Sequence, residues 1–218
     1  MIDVTYINHM GDDLSTVNAA RVSFGKKSDY MQRVHNGEPK VLQFKDDRLI
    51  KYLAEHEHIS PFGHAFASFH VKAPVFVARQ LVKHKFLRWN EISRRYVDEE
   101  PEFFTPTVWR GRSADKKQGS EGEVKTNANV EHFYETALKV YKQMIDEGVA
   151  PEQARMVLPQ AAMTEWIWSG SVDAFASMCA LRCKPDTQRE TQIVANNIDE
   201  IMGRLFPVSW TSIRMYEE

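Results

Sequence analysis

Between Arg79 and Tyr96 the chain reads Arg-Gln-Leu-Val-Lys-His-Lys-Phe-Leu-Arg-Trp-Asn-Glu-Ile-Ser-Arg-Arg-Tyr, which sets six permanent cations beside a single carboxylate, Glu91. A solvated surface segment interleaves carboxylates with its cations at ion-pair spacing; this one keeps an excess of positive charge that wants an external anion. Phosphate suits it, because a guanidinium fork matches phosphate oxygens and an ammonium offers a point charge. Trp89 and Tyr96 add flat surfaces on which a nucleobase or an isoalloxazine ring can stack. The plainer alternative, a basic surface helix with core aromatics, stays open on composition alone.

Two other sets of side chains have chemistry available. His56, His58, His64 and His70 form a loose cluster. His56 and His58 diverge on a helix and share a face only on a strand, and no HExxH arrangement accompanies them, so no metal site is expected there. Cys179 and Cys183 are the only cysteines. Four residues apart, they share one face of a helix and read as buried reduced thiols without a metal or disulfide framework.

The rest of the chain must position these groups. Its 218 residues are 43% hydrophobic and 27% charged with a net charge of -2, which excludes disordered, collagenous and membrane classes and gives no global field for non-specific nucleic-acid binding. No window approaches the roughly 20 apolar residues of a membrane span. The opening MIDVTYINHMGDDLS lacks a secretory pattern, so a cytoplasmic protein is expected. Length and hydropathy predict one domain over residues 1–218, interrupted by an exposed, mobile loop from Arg110 to Asn129.

Helix signals begin at Asp13, expected to cap a helix through Val22, and at Asp46 or Asp47. HAFASFHV, from His64 to Val71, predicts a strand feeding a helix that opens with Pro74 in its first turn and runs to His84. Val75, Phe76, Val77, Leu81 and Val82 are assigned to the core. Val130, Phe133, Tyr134, Ala137, Leu138, Tyr141, Met144 and Ile145 predict a helix closed by Gly148. A short helix from Pro151 to Leu158, a strand in AMTEWIW, and helices over Val172–Arg182 and Asp186–Phe206 follow, with Pro207 as the stop. Strands broken by long helices without regular alternation predict an α+β fold, a mixed or antiparallel sheet flanked by long helices.

The basic stretch also resembles the signature of the flavin-dependent thymidylate synthases: Arg-His-Arg, seven residues, then Ser, inside a run ending Asn-Glu-x-Ser-x-Arg-Tyr. Here Lys83-His84-Lys85 is followed after seven residues by Ser93, within an intact Asn90-Glu91-Ile92-Ser93-Arg94-Arg95-Tyr96. DDLSTVNAARVSF, HISPFGHAFASFHVKAPVFVARQ and EGVAPEQARMVLP resemble further segments of that family. The resemblance implies the family fold and a homotetramer with active sites between subunits. It implies FAD as cofactor, with dUMP, methylenetetrahydrofolate and NADPH as substrates. The expected reaction is reductive methylation of dUMP to dTMP: NADPH reduces the flavin, the folate supplies the carbon, and the flavin supplies the reducing equivalents. A close variant would act at position 5 of another pyrimidine nucleotide, such as dCMP. A different class would be a non-catalytic nucleotide- or nucleic-acid-binding protein, against which the net charge argues.

Carried over position by position, the resemblance assigns Gln80, Lys83, Glu91, Ile92, Ser93, Arg94, Arg95 and Arg155 to the nucleotide. Arg182 matches the arginine that polarises the pyrimidine near N3, the one catalytic assignment, and also contacts the nucleotide. Ser60, Lys83, His84 and Lys85 match flavin-side positions, and Glu91, Ser171 and Ser177 are placed there with them; His58, outside the family pattern, is read as a flavin-side residue against the alternative of an ordinary surface or helix-end histidine, and Gln188 matches a family position only loosely. Ser93 would hold substrate, not attack it. Two places depart from the pattern: lysines at 83 and 85 replace arginines, and Ser171-Val172-Asp173 with Ser177 stand where relatives commonly carry Asn-Ala-Arg and a later Asn. A lysine keeps the charge and loses the planar fork.

Overall fold

The computed structural model describes residues 1–31, 41–97, 99–114 and 119–216. Its strands are β1 (Asp3–Met10), β2 (Phe66–Pro74), β3 (Arg88–Glu91), β4 (Arg110–Arg112), β5 (Ser120–Glu123) and β6 (Met163–Ser171). Its helices are α1 (Asp13–Arg21), α2 (Phe44–Glu55), α3 (Val75–Leu81), α4 (Val130–Asp146), α5 (Pro151–Ala154), α6 (Val172–Arg182), α7 (Arg189–Leu205) and α8 (Pro207–Tyr216). Four strands form an antiparallel sheet in the order β1-β2-β6-β3, and β4 pairs with β5 alone. The α+β expectation holds, with the sheet wholly antiparallel. Among the described residues, no helix is long and apolar enough to cross a membrane.

Period-two alternation makes the central sheet one-sided. Phe69 opposes Trp168 and Val71 opposes Trp166 across β2 and β6, all four buried. Trp89 of β3 stacks on Trp166 with ring centroids 4.2 Å apart, and Phe175 of α6 meets Phe69 and Trp168 edge-on at 5.2 and 5.5 Å. Large rings at these offsets combine burial with favourable quadrupole contact, so they lock β3 and α6 to the same face. Gly170 allows that approach: a Cβ there would lie 2.3 Å from Leu87 Cδ2. The opposite face is mixed: Ser169 donates to Ser68 at 2.8 Å and His70 lies 3.0 Å from Glu165, beside the part-exposed Phe66 and Ile167.

Several boundaries differ from the sequence expectation. His64 closes a 3-10 turn (Ser60–His64), so β2 starts only at Phe66. Pro74 is the N-cap of α3, outside its first turn, and α3 stops at Leu81. Val77 and Leu81 are core, Val75 and Phe76 are half-buried, and Val82, at 48% exposure, is not core. The basic stretch is therefore a helix end, a turn and a strand. Asp12 caps α1 in a reciprocal pair with Ser15, while Asp13 faces away, its carboxylate accepting from the backbone N–H groups of Val208 and Ser209 at 3.0 and 2.8 Å. It caps α8, a helix the sequence reading missed: Pro207 ends α7 and also opens α8, where a fixed φ suits a first turn. At α2 the N-cap is Gln43, with Asp46 and Asp47 in the first turn.

The Arg110–Asn129 segment also departs from a plain loop. Its β4–β5 hairpin is pinned to the first turn of α7 where Arg110 Nη2 donates to both oxygens of buried Glu190 at 2.8 Å. Gly119, with φ +90, lies so close that a Cβ would meet the Asp186 carbonyl at 3.0 Å. Residues 115–118, part of the expected loop, lie outside the described residues. Because a charge-assisted bond to a buried carboxylate is worth about 1.5–3 kcal/mol, Glu190→Gln should raise trypsin cleavage at Arg110 and Arg112 about tenfold. Limited proteolysis with unchanged cutting rates would show that the hairpin does not depend on this clasp.

Candidate active site

The turn after α3 brings the signature to the end of α6. Phe86 adopts φ 65, a left-handed conformation that costs a ring-bearing residue energy, and the residue is 83% exposed. That turn lets Lys83, His84 and Lys85 face Arg182, the last residue of α6. Arg182 Nε donates to His84 Nε2 at 2.9 Å and Nη2 donates to the Gln80 carbonyl at 3.3 Å. The Gln80 amide is itself held, donating to Gln188 Oε1 at 2.6 Å and accepting from Thr191 at 3.3 Å. A guanidinium fixed on two sides presents its remaining edge in a defined direction.

Since His84 Nε2 accepts from Arg182, the imidazole is neutral with its proton on Nδ1. Burial, reinforced by the Arg182 charge, pushes its pKa from 6.5 down to about 4. Burial also lowers that of Arg182. With a folded pKa below the unfolded value, the unfolded chain takes up the His84 proton first. The contribution is fully present above pH 6.5 and is lost as pH falls towards 4. Urea midpoints at pH 7 and pH 5 should therefore fall further for the native protein than for His84→Gln; equal falls would contradict the neutral assignment.

Two neighbouring cavities collect the nucleotide-side residues. One, of about 720 Å³, is lined by Val75, Arg79, Gln80, Lys83, Glu91 and Arg182. The other, of about 590 Å³, shares Val75, Arg79 and Glu91 and adds Ile92, Ser93, Arg94 and Arg155. Among the described residues these two linings set Arg79, Lys83, Arg94, Arg155 and Arg182 against two carboxylates, Glu91 and Glu152, so the space favours an anion. Glu91 is oriented by Thr164, which donates to Oε1 at 2.6 Å, and by Trp89 Nε1, which donates to Oε2 at 3.1 Å. Arg95 lies apart, 3.7 Å from Glu152 and over the Tyr96 ring.

The flavin-side residues divide between two further cavities. Lys83, His84, Lys85, Phe86, Asp173, Ser177 and Arg182 line one of about 520 Å³, which Ile59 also touches. His58 and Ser60, the neighbours of Ile59, open instead onto one of about 850 Å³ with Arg21, Lys26, Lys45, Arg48 and Tyr52. Ser171 is 7% exposed at the N-cap of α6, away from both linings. The donor set suits a flavin dinucleotide: lysines and arginines for a diphosphate, exposed rings at Phe86 and Tyr52, and a buried Asp173 Oδ1 without a partner among the described residues. That orphaned oxygen can accept from an imide or hydroxyl, and burying it unpaired is costly otherwise.

Sequence reasoning did not single out Arg79, Phe86, Thr164 or Thr191. Arg79 lay inside the basic stretch and was legible there. Phe86 lies in that stretch too, but its left-handed turn carries no local signal; Thr164 and Thr191 matter only because β6 and α7 pack beside the signature.

The profile of the thymidylate synthase complementing protein family matches residues 5–208. A flavin-dependent thymidylate synthase of Thermus thermophilus is 36% identical over 212 residues, covering 96% of this chain and 74% of that protein. Another, from Thermosipho africanus, is 37% identical over 211 residues, covering 94% and 86%. In three dimensions the chain is similar to a UMP/dUMP methylase, PolB from Streptomyces cacaoi, solved with 5-Br UMP. The TM-score is 0.83 at 27% identity, over 100% of this chain and 95% of that one. Signature, fold and relatives agree, and the chain belongs to the flavin-dependent thymidylate synthase family.

Proposed function

We propose that the joined cavities bind dUMP and that the protein methylates it to dTMP with methylenetetrahydrofolate as carbon donor, NADPH as reductant and FAD as the flavin. The observation that carries this reading is the convergence of Gln80, Lys83, Glu91, Ser93, Arg94, Arg155 and Arg182 on two cationic cavities that share Val75, Arg79 and Glu91. Arg155, Arg94 and Lys83 are suited to hold the phosphate, and Ser93 and Gln80 to bond the sugar or base. Arg182 stabilises charge developing at the pyrimidine N3 and carbonyl, an interaction worth more in the transition state than in the ground state. Lys83, His84, Lys85 and Ser177 would hold one part of the flavin, and His58 and Ser60 another. When bound, the flavin supplies the reducing equivalents.

A tetramer joins this reading. Among the described residues the two flavin-side cavities share no lining residue, which supports a cofactor held by more than one subunit. Exposed apolar residues, Phe24 at 78% and Phe44 at 75%, offer surface for such contacts.

A product assay with dUMP, UMP and dCMP side by side tests the substrate. The reading predicts dTMP from dUMP; product from dCMP alone would move the reaction to the amino-bearing ring. The likeness to a UMP/dUMP methylase favours one second reading, acceptance of both sugars. Equal turnover of UMP and dUMP would support it.

A further inference from the structure

Cys179 and Cys183 lie at the C-terminal end of α6, and Asp199 faces them from α7. The two sulfurs and a carboxylate oxygen are all within 4.8 Å of one another. A tetrahedral ion with thiolates at about 2.3 Å and a carboxylate at about 2.0–2.2 Å needs its ligand atoms roughly 3.5–3.8 Å apart. Small side-chain rotations close that difference, because Cys183 is the C-cap of α6 and only half-buried. Its partial exposure also leaves a corner for a water ligand.

Trp210 Nε1 and Arg214 Nε both donate to Asp199 Oδ1, at 3.1 and 2.9 Å, so the carboxylate is oriented from α8. Arg214 Nη1 is buried with no acceptor among the described residues. A buried cationic N–H needs one, and a thiolate would supply it. The thiol of Cys179 donates to the Ala195 carbonyl at 3.7 Å. Binding a divalent ion would release both thiol protons to solvent. Two thiolates and Asp199 would then be balanced by the ion and Arg214, which limits the cost of burying the charges.

We propose that Cys179, Cys183 and Asp199 bind one thiophilic divalent cation of the zinc class. Because Arg182 directly precedes Cys183, such an ion fixes the last turn of α6 and with it the arginine that faces the nucleotide cavity. The sequence could not show this, since the third ligand comes from another helix.

Cobalt(II) titration of the full-length protein, reduced and stripped with chelator, tests the site. The expected result is a thiolate-to-cobalt charge-transfer absorption that saturates at one ion per chain and is displaced by zinc. Asp199→Asn should weaken binding about tenfold or more, and Cys183→Ser should abolish the band while the circular dichroism spectrum stays native. No band at excess cobalt, with both thiols free by titration, would overturn the proposal, as would a band that survives Cys183→Ser. If that variant fails to fold, alkylation of the native protein decides. Zinc should slow iodoacetamide modification of Cys183 at least tenfold, and an unchanged rate would overturn the site.

Discussion

Arg182→Ala should lower kcat by about 10²–10³-fold, the usual cost of deleting one fixed electrostatic donor, while dUMP affinity changes far less. The asymmetry follows from position. Arg182 is held by His84 and the Gln80 carbonyl, so it enters the cavity already oriented, as its proposed role at the activated ring requires. Partial burial keeps water from screening it. Arg182→Lys restores charge without the fork and should recover only part of the rate. A second readout separates this role from simple damage: without the guanidinium, the His84 pKa should rise, though burial, its larger cause, keeps it below 6.5. Steady-state kinetics with a histidine NMR titration checks both. An unchanged kcat would remove Arg182 from the chemistry.

Asp46→Ala should destabilise the protein by about 3–5 kcal/mol, the cost of breaking a buried ion pair from one side. Asp46 is fully buried in α2, where Oδ1 accepts from Arg21 and from Ser28 Oγ, the latter at 3.0 Å. Truncation leaves the Arg21 guanidinium, 18% exposed, without its carboxylate. The pair ties α1 to α2, and both helices line the cavity into which His58 and Ser60 open, so stability and cofactor binding should fall together. Urea unfolding measures the first and flavin titration the second. A loss under about 1 kcal/mol would put this pair with ordinary exposed ones.

What the sequence made legible follows from the range of the forces involved. Residues 172–182 form the predicted helix, and β6 and α4 stand where alternation and three-to-four spacing put them, because those periods are imposed by neighbouring residues. Gly148, at φ +85, closes α4 as expected. The failures are long-range. Asp13 looks like a cap for its own helix, yet it serves α8 some 195 residues later. The β4–β5 hairpin is polar enough to read as a loop, and what orders it is Glu190, a partner 80 residues away. At the site, cations and the Asn-Glu-x-Ser run could be read from the chain. Thr164 on Glu91, Gln188 on Gln80 and the neutral His84 could not, since each depends on packing between β6, α6, α7 and the turn after α3.

The most direct test of the central claim is an absorbance spectrum of the purified protein with FAD, taken before and after NADPH and then with dUMP and methylenetetrahydrofolate. The account predicts a bound-flavin spectrum that bleaches with NADPH and recovers as dTMP forms, with Lys83 and Lys85 serving at the two flanking positions of the signature. Absence of any flavin binding at saturating FAD, in a protein that still binds dUMP, would contradict it.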